Sequence, residues 1–187
     1  TSIGQAEESK KKLLTCQKTS CDKSYFYVQI LTRDILLIAE LSGKLKICEK
    51  RKLTVNDISV DMSCIIYYIK DYYRATIISS NGYAVKCIDY EYIVQDININ
   101  DLYCLPEDEI FFSVPLAKKC RVYGVDYENH EKALNDFKSI PSKEYMSIII
   151  ENEDADCLQV TLVGENNGIF NEKLFIARIR QSGIVQL

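Results

Sequence analysis

The stretch from Asp61 to Pro106 constrains this chain more than any other. Two runs rich in β-forming residues, Tyr72–Ser79 and Tyr83–Asp89, flank Ser80-Asn81-Gly82. Asn-Gly supplies the positive φ angles of a tight hairpin turn, so the two runs are expected to pair antiparallel. A third short run, Ile93–Ile97, follows at similar spacing and extends the pair into a small meander. Tyrosines crowd its two ends: Tyr67, Tyr68, Tyr72 and Tyr73 on one side, Tyr90 and Tyr92 on the other. Rings so placed have two uses. They pack as core or as cross-strand pairs, or their faces hold a cation at about 0.5–2 kcal/mol per good contact.

Composition narrows the partners. The chain has 187 residues, 47% of them hydrophobic and thirteen of them tyrosine, enough for one domain or a pair of small ones. Its formal net charge is −4 and its pI near 5.2, which argues against a nucleic-acid surface and suits a cationic partner. Eight cysteines lie at 16, 21, 48, 64, 87, 104, 120 and 157, with no Cys-x-x-Cys pair, and His130 is the single histidine. That spacing nearly excludes mixed cysteine–histidine zinc sites, and no metal or other cofactor is expected. Cysteines inside apolar runs (Cys64, Cys87, Cys120) read as buried free thiols of a reducing compartment, the cytoplasm. No apolar run approaches the roughly 20 residues of a membrane span, and no signal-peptide pattern is present. Because Thr1 stands where a methionine would start a chain, the sequence is expected to be a piece of something longer.

Taken in order, residues 1–12 are polar and without period. Leu13–Lys18 and Ser24–Leu31 are short strand candidates, broken at Thr19–Lys23. A helix follows, with Thr32 or Asp34 as its cap and Ile35, Ile38, Leu41 and Leu45 at helical spacing; Leu36 and Leu37 broaden the stripe, as suits a helix wedged between two units. After Pro106, Ile110–Pro115 and Ala117–Gly124 give strand signals. Asp126–Ile140 reads as a helix stopped by Pro141. Tyr145–Glu151 and Cys157–Val163 flank an acidic tip, Asn152–Asp156. Asn166-Asn167-Gly168 turns the chain, and Asn171–Ile179 reads as a last short helix.

Asp71-Tyr-Tyr-Arg-Ala75, the hairpin, Ile88-Asp-Tyr90 and Leu102-Tyr-Cys-Leu-Pro106 together resemble the Tudor domain. Asp71, Tyr73, Arg74, Ala75, Asp89, Tyr90 and Pro106 agree with that family's pattern. Tyr72 replaces its tryptophan, Cys87 an aromatic, Glu91 a glycine and Tyr92 an asparagine. Tyr25-Phe-Tyr-Val-Gln29 and Phe112-Ser-Val-Pro-Leu-Ala117 sit where extended Tudor domains keep similar segments, so the resemblance spans about residues 24–187. It implies a mainly β fold with helices (α+β): an SH3-like Tudor barrel inserted into a staphylococcal-nuclease-like OB fold and joined to it by a long helix. The units would fall at 1–22 (lead-in and first strand), 23–56 (first part of the OB unit and the linker helix), 57–106 (Tudor barrel) and 107–187 (remainder of the OB unit).

Function follows from the same resemblance. The family's aromatic box holds symmetric dimethylarginine with four aromatic walls and one asparagine. Its walls map onto Tyr67, Tyr73, Cys87 and Tyr90, and its asparagine onto Tyr92. Cys87 supplies no ring face. Tyr92 is left to donate or accept through its hydroxyl, or to fold over the pocket. Tyr68, Tyr72 and Tyr83 are divided evenly between packing and ligand roles. Arg74 and Asp89 read as a structural ion pair, and Glu91 as a carboxylate able to hold an unmodified guanidinium. The implied function is a non-catalytic module in cytoplasmic, perinuclear germ granules, binding the arginine-rich N-terminal tails of Piwi-family Argonaute proteins with relaxed methylation dependence. Its rivals are a scaffold that binds no methylarginine and a single-stranded RNA binder, the latter disfavoured by the acidic balance. Catalysis is disfavoured too. Asp154 and Asp156 sit on a hairpin tip with no accompanying arginine, and a nucleophilic triad would rest on His130 alone.

Overall fold

A computed structural model describes residues 12–21, 25–123 and 145–163. The sequence-predicted helices at 126–140 and 171–179, the Asn166 turn, His130 and the lead-in up to residue 11 lie outside them.

The chain's first unit is a closed β-barrel. β1 (Leu13–Cys21) pairs with β2 (Phe26–Ile30) on one side and with β9 (Tyr145–Glu153) on the other. β8 (Ala117–Val122) and β10 (Leu158–Val163) close the ring in the order β1-β2-β8-β10-β9. Alternate residues point inward, so Cys16, Phe26, Val28, Ile148 and Val160 are sealed in one core. A bulge between Lys18 and Ser20 lets β1 bend.

Helix α1 (Leu31–Ile47) leaves β2 without a break. Neither expected cap acts. The N-cap position is Ile30, with no side-chain cap. Thr32 lies inside the first turn, and its Oγ1 accepts from the Thr15 amide at 2.7 Å, tying the helix start to β1. Leu41 and Leu45 are buried against the second unit, whereas Ile35 and Leu36 are exposed, Leu36 to 83%. The stripe is therefore narrower than its sequence suggests, because only the C-terminal half of α1 has a sheet to lie on.

That second unit is an inserted antiparallel sheet, order β6-β5-β4-β3-β7, formed by β3 (Ser63–Tyr68), β4 (Asp71–Ser79), β5 (Ala84–Cys87), β6 (Tyr92–Val94) and β7 (Leu102–Cys104). The meander is present, with a fourth strand, β3, ahead of it. The β4–β5 turn differs from the expected Asn-Gly type. Positive φ falls on Gly82 (76°) and Tyr83 (47°), displaced by one residue through a bulge between Ile77 and Ser79. Gly82 is required there, since a Cβ would also meet Asp96 Oδ1 at 3.1 Å.

The expected strand at 110–115 is instead a 3-10 turn, Glu109–Phe112, started by the Asp108 carboxylate accepting from the Ile110 amide. Its Ile110 and Phe111, with Leu116, complete a buried layer between α1 (Leu41, Leu45) and the outer face of β3 (Ile65).

Candidate functional site

Arg74 sets the geometry of the site. It lies on β4, is 2% exposed, and spends its donors in both directions. Nε donates to Asp89 Oδ2 at 2.8 Å and Nη2 to Asp89 Oδ1 at 2.5 Å. Nη1 donates to the Ser113 carbonyl at 2.7 Å, to Ser113 Oγ at 3.1 Å and to the Phe111 carbonyl at 3.3 Å, and Nη2 reaches the Val114 carbonyl. Asp89 Oδ1 also accepts from the Leu116 amide at 2.9 Å. The ion pair expected from the sequence is thus a bidentate pair within the inserted unit, and the remaining bonds of its two partners hold the 111–116 segment that leads back to the barrel.

Two further bonds from the barrel hold the loop after Asp89. Gln29 Nε2 donates to the Asp89 carbonyl at 2.6 Å, and its side chain also hydrogen-bonds the Tyr90 hydroxyl. Ser20 Oγ donates to the Glu91 carbonyl at 2.9 Å. Glu91 has φ 56°, the left-handed conformation usual for glycine, so Tyr90 and Tyr92 both turn back toward β4.

The rings gather accordingly. Tyr73 and Tyr90 meet edge to face at 5.4 Å, and Tyr92 lies 6.4, 5.9 and 6.4 Å from Tyr73, Tyr90 and Tyr68. The Tyr92 hydroxyl bonds the Cys87 thiol, its direct neighbour across β5–β6, and the Tyr73 hydroxyl. At 5.4–6.4 Å, tilted or edge-on to one another, the four rings form one contiguous cluster. Burial pushes the Tyr73, Tyr90 and Tyr92 phenols up and the Cys87 thiol up to about 12, so all four are neutral at physiological pH.

Tyr67, expected among the walls, stands elsewhere. Pairing in β3–β4 sets Tyr67 opposite Tyr72, Ile66 opposite Tyr73 and Tyr68 opposite Asp71. Paired residues share a face and neighbours alternate, so Tyr67 and Tyr73 point to opposite sides of the sheet. Tyr67 packs on Tyr72 at 5.0 Å, and Tyr72 packs on Tyr103 at 6.1 Å. Tyr68 instead shares the face of Tyr73 and lies 6.4 Å from Tyr92. Glu91 pairs with Lys86 at 3.2 Å and borders a separate groove of about 750 Å³ beside Lys118 and Asp154. Sequence reasoning leaves Tyr68 divided between packing and ligand roles and gives Asp71 no ligand role. The signal for both is the pleat, since they share Tyr73's face once the turn is placed at Ile69-Lys70.

Beside the rings is a hollow of about 100 Å³ between β4, the Asp89–Tyr90 loop and α1, bordered by Tyr73, Tyr90, Asp71, Gln29 and Leu41. Among the described residues no group of His, Cys, Asp and Glu is arranged to hold a metal ion, and no helix is long and apolar enough to cross a membrane.

No protein-family model matches the sequence, and no curated protein matches it. Solved structures do. Extended-Tudor 9 of Drosophila melanogaster superposes with a TM-score of 0.67 at 21% identity, over 89% of this chain and 98% of that one. The human TDRD1 extended Tudor domain, in complex with a symmetrically dimethylated peptide, gives 0.67 at 14% identity over 93% and 90%. This is an extended Tudor fold. A complex of Tudor with Aubergine bearing a dimethylated arginine matches over 84% of this chain and 95% of that one, with a TM-score of 0.59 at 18% identity. In extended Tudor terms the closed barrel is the OB-like unit and the inserted sheet is the Tudor unit.

Proposed function

We propose that this extended Tudor fold is a non-catalytic peptide-binding module. It takes the arginine-rich tail of a Piwi-family Argonaute protein, with relaxed dependence on symmetric dimethylation, in cytoplasmic, perinuclear germ granules. The fold supports the peptide-binding part, since structures of the same architecture are complexes with dimethylarginine-bearing Aubergine and with a symmetrically dimethylated peptide. The acidic balance of the chain suits a basic tail.

One observation carries the relaxed selectivity. With Cys87 where the resembling family has an aromatic wall, that side offers no ring face to a methylated guanidinium, and the thiol is bonded to the Tyr92 hydroxyl instead. The arginine's place is then beside Tyr73 and Tyr90 rather than among four walls.

Calorimetric titration with matched arginine-rich peptides, unmodified and symmetrically dimethylated, tests this. Binding of the unmodified form at least as tightly as the other is expected. A tenfold preference for the dimethylated form, about 1.4 kcal/mol, overturns it. Binding of neither peptide favours the scaffold reading.

A further inference from the structure

We propose that the arginine enters the hollow between β4 and α1, and that the Asp71 carboxylate there selects the unmodified guanidinium over the dimethylated one. This inference rests on the peptide-binding reading above and adds to it a site and a sign of selectivity.

The lining of the hollow suits one arginine side chain. Tyr73 and Tyr90 border it from the Tudor unit, and Leu41 and Ser42 border it from α1. The apolar part suits the aliphatic stem of the arginine, which buries well while its head keeps polar contacts. Two carboxylates stand at the hollow, Asp71 and Asp89. Asp89 is already committed to Arg74 and to the Leu116 amide. Asp71 is not. Its Oδ1 accepts from the Tyr72 amide at 2.9 Å, and Oδ2 has no hydrogen-bond partner and no paired cation among the described residues. It opens β4, half-buried, on the face that Tyr73 shares, and its charge is felt by the phenols of both Tyr73 and Tyr90. A guanidinium in the hollow therefore meets a free carboxylate and two neutral rings.

Methylation acts against that arrangement. A carboxylate grips guanidinium best through two parallel N–H bonds. Symmetric dimethylation keeps the positive charge but removes one N–H from each terminal nitrogen and obstructs the bidentate pairing. A box of four rings rewards the methyl groups, whereas a hollow with a carboxylate penalises them.

The test is titration of the intact chain and two variants with the same two peptides. Asp71→Asn keeps the shape and the bond to Tyr72 but removes the charge. Ser42→Tyr fills the hollow from an exposed position of α1. The wild type is expected to bind the unmodified peptide about tenfold or more tightly than the dimethylated one. Asp71→Asn should weaken the unmodified peptide by about tenfold and shrink that preference, and Ser42→Tyr should remove binding, both with an unchanged unfolding midpoint. Equal affinity for the two peptides, or an Asp71→Asn profile identical to wild type, overturns the role of Asp71 and leaves the peptide-binding reading standing. Full binding by Ser42→Tyr overturns the hollow as the site. Failure of the wild type to bind either peptide overturns the reading itself.

Discussion

Arg74 makes six bonds from a site almost closed to water, two to a carboxylate and the rest to Phe111, Ser113 and Val114. Removing one partner of such a pair leaves a buried charge uncompensated, at a cost of about 3–5 kcal/mol. Arg74→Ala is expected to lower the urea unfolding free energy by that amount. A loss below about 1 kcal/mol would show that the pair is incidental. Arg74→Lys should not rescue it, because an ammonium cannot offer the planar fork that the carboxylate oxygens and the carbonyls use here. Thiols provide a second residue-scale check. Cys16, Cys64 and Cys87 are fully buried, and burial pushes each up to about 12, whereas Cys48 and Cys104 are only half-buried. Brief alkylation of the native protein at pH 8, followed by mass spectrometry, should mark Cys48 and Cys104 well before Cys16, Cys64 and Cys87.

At the scale of elements, the β3–β4 hairpin is the most telling. Tyr68 pairs with Asp71, so only Ile69 and Lys70 form the loop, with φ of 44° and 63°. A two-residue turn with both φ positive normally uses Asn-Gly, and a β-branched residue there is strained. Replacing Ile69-Lys70 by Asn-Gly is expected to stabilise the protein by about 1–2 kcal/mol, read by chemical denaturation. An unchanged or lower midpoint would mean that Ile69 makes up for its strain in some other way. The same element explains why part of the site was hidden in the sequence. Tyr73, Tyr90 and the Arg74–Asp89 pair were legible from the Tyr-Arg-Ala and Asp-Tyr segments. The choice between Tyr67 and Tyr68 was not, because it depends on the phase of the pleat. Nothing in Ile69-Lys70 announces the turn that sets that phase.

The whole molecule couples two cores through α1, the buried 110–116 layer and the bonds around Arg74, Asp89 and Gln29, and its stability should respond to alkali as a unit. Cys16 lies in the OB-like core, while Cys64 and Cys87 lie in the Tudor core. Each thiol is raised from an ordinary value of 9.0 to about 12 in the folded state. Below pH 9 both states keep the proton and stability is complete. Between pH 9 and 12 the unfolded chain releases protons that the folded one retains, so stability falls with rising pH, by about 1.4 kcal/mol per unit for each thiol. Guanidinium unfolding at pH 8 and pH 10.5 should show this loss in a single transition, and a flat profile would contradict it. Excision of residues 57–106 should likewise leave a destabilised fragment. It strips α1 and the 110–116 segment from Ile65 and takes the Ser113 and Val114 carbonyls from Arg74.

Local chemistry in the chain determined the β-rich runs, the meander, the linker helix and the oppositely charged Arg74–Asp89 pair, because periodicity and residue type act over a few residues. Tertiary structure alone decided that Tyr92 bonds Cys87, that Tyr67 faces away, that residues 110–112 coil rather than extend, and that Asp71 meets no cation among the described residues beside a hollow roofed by α1. Each of these depends on register and on contacts between segments far apart in the chain, which no short window of sequence contains.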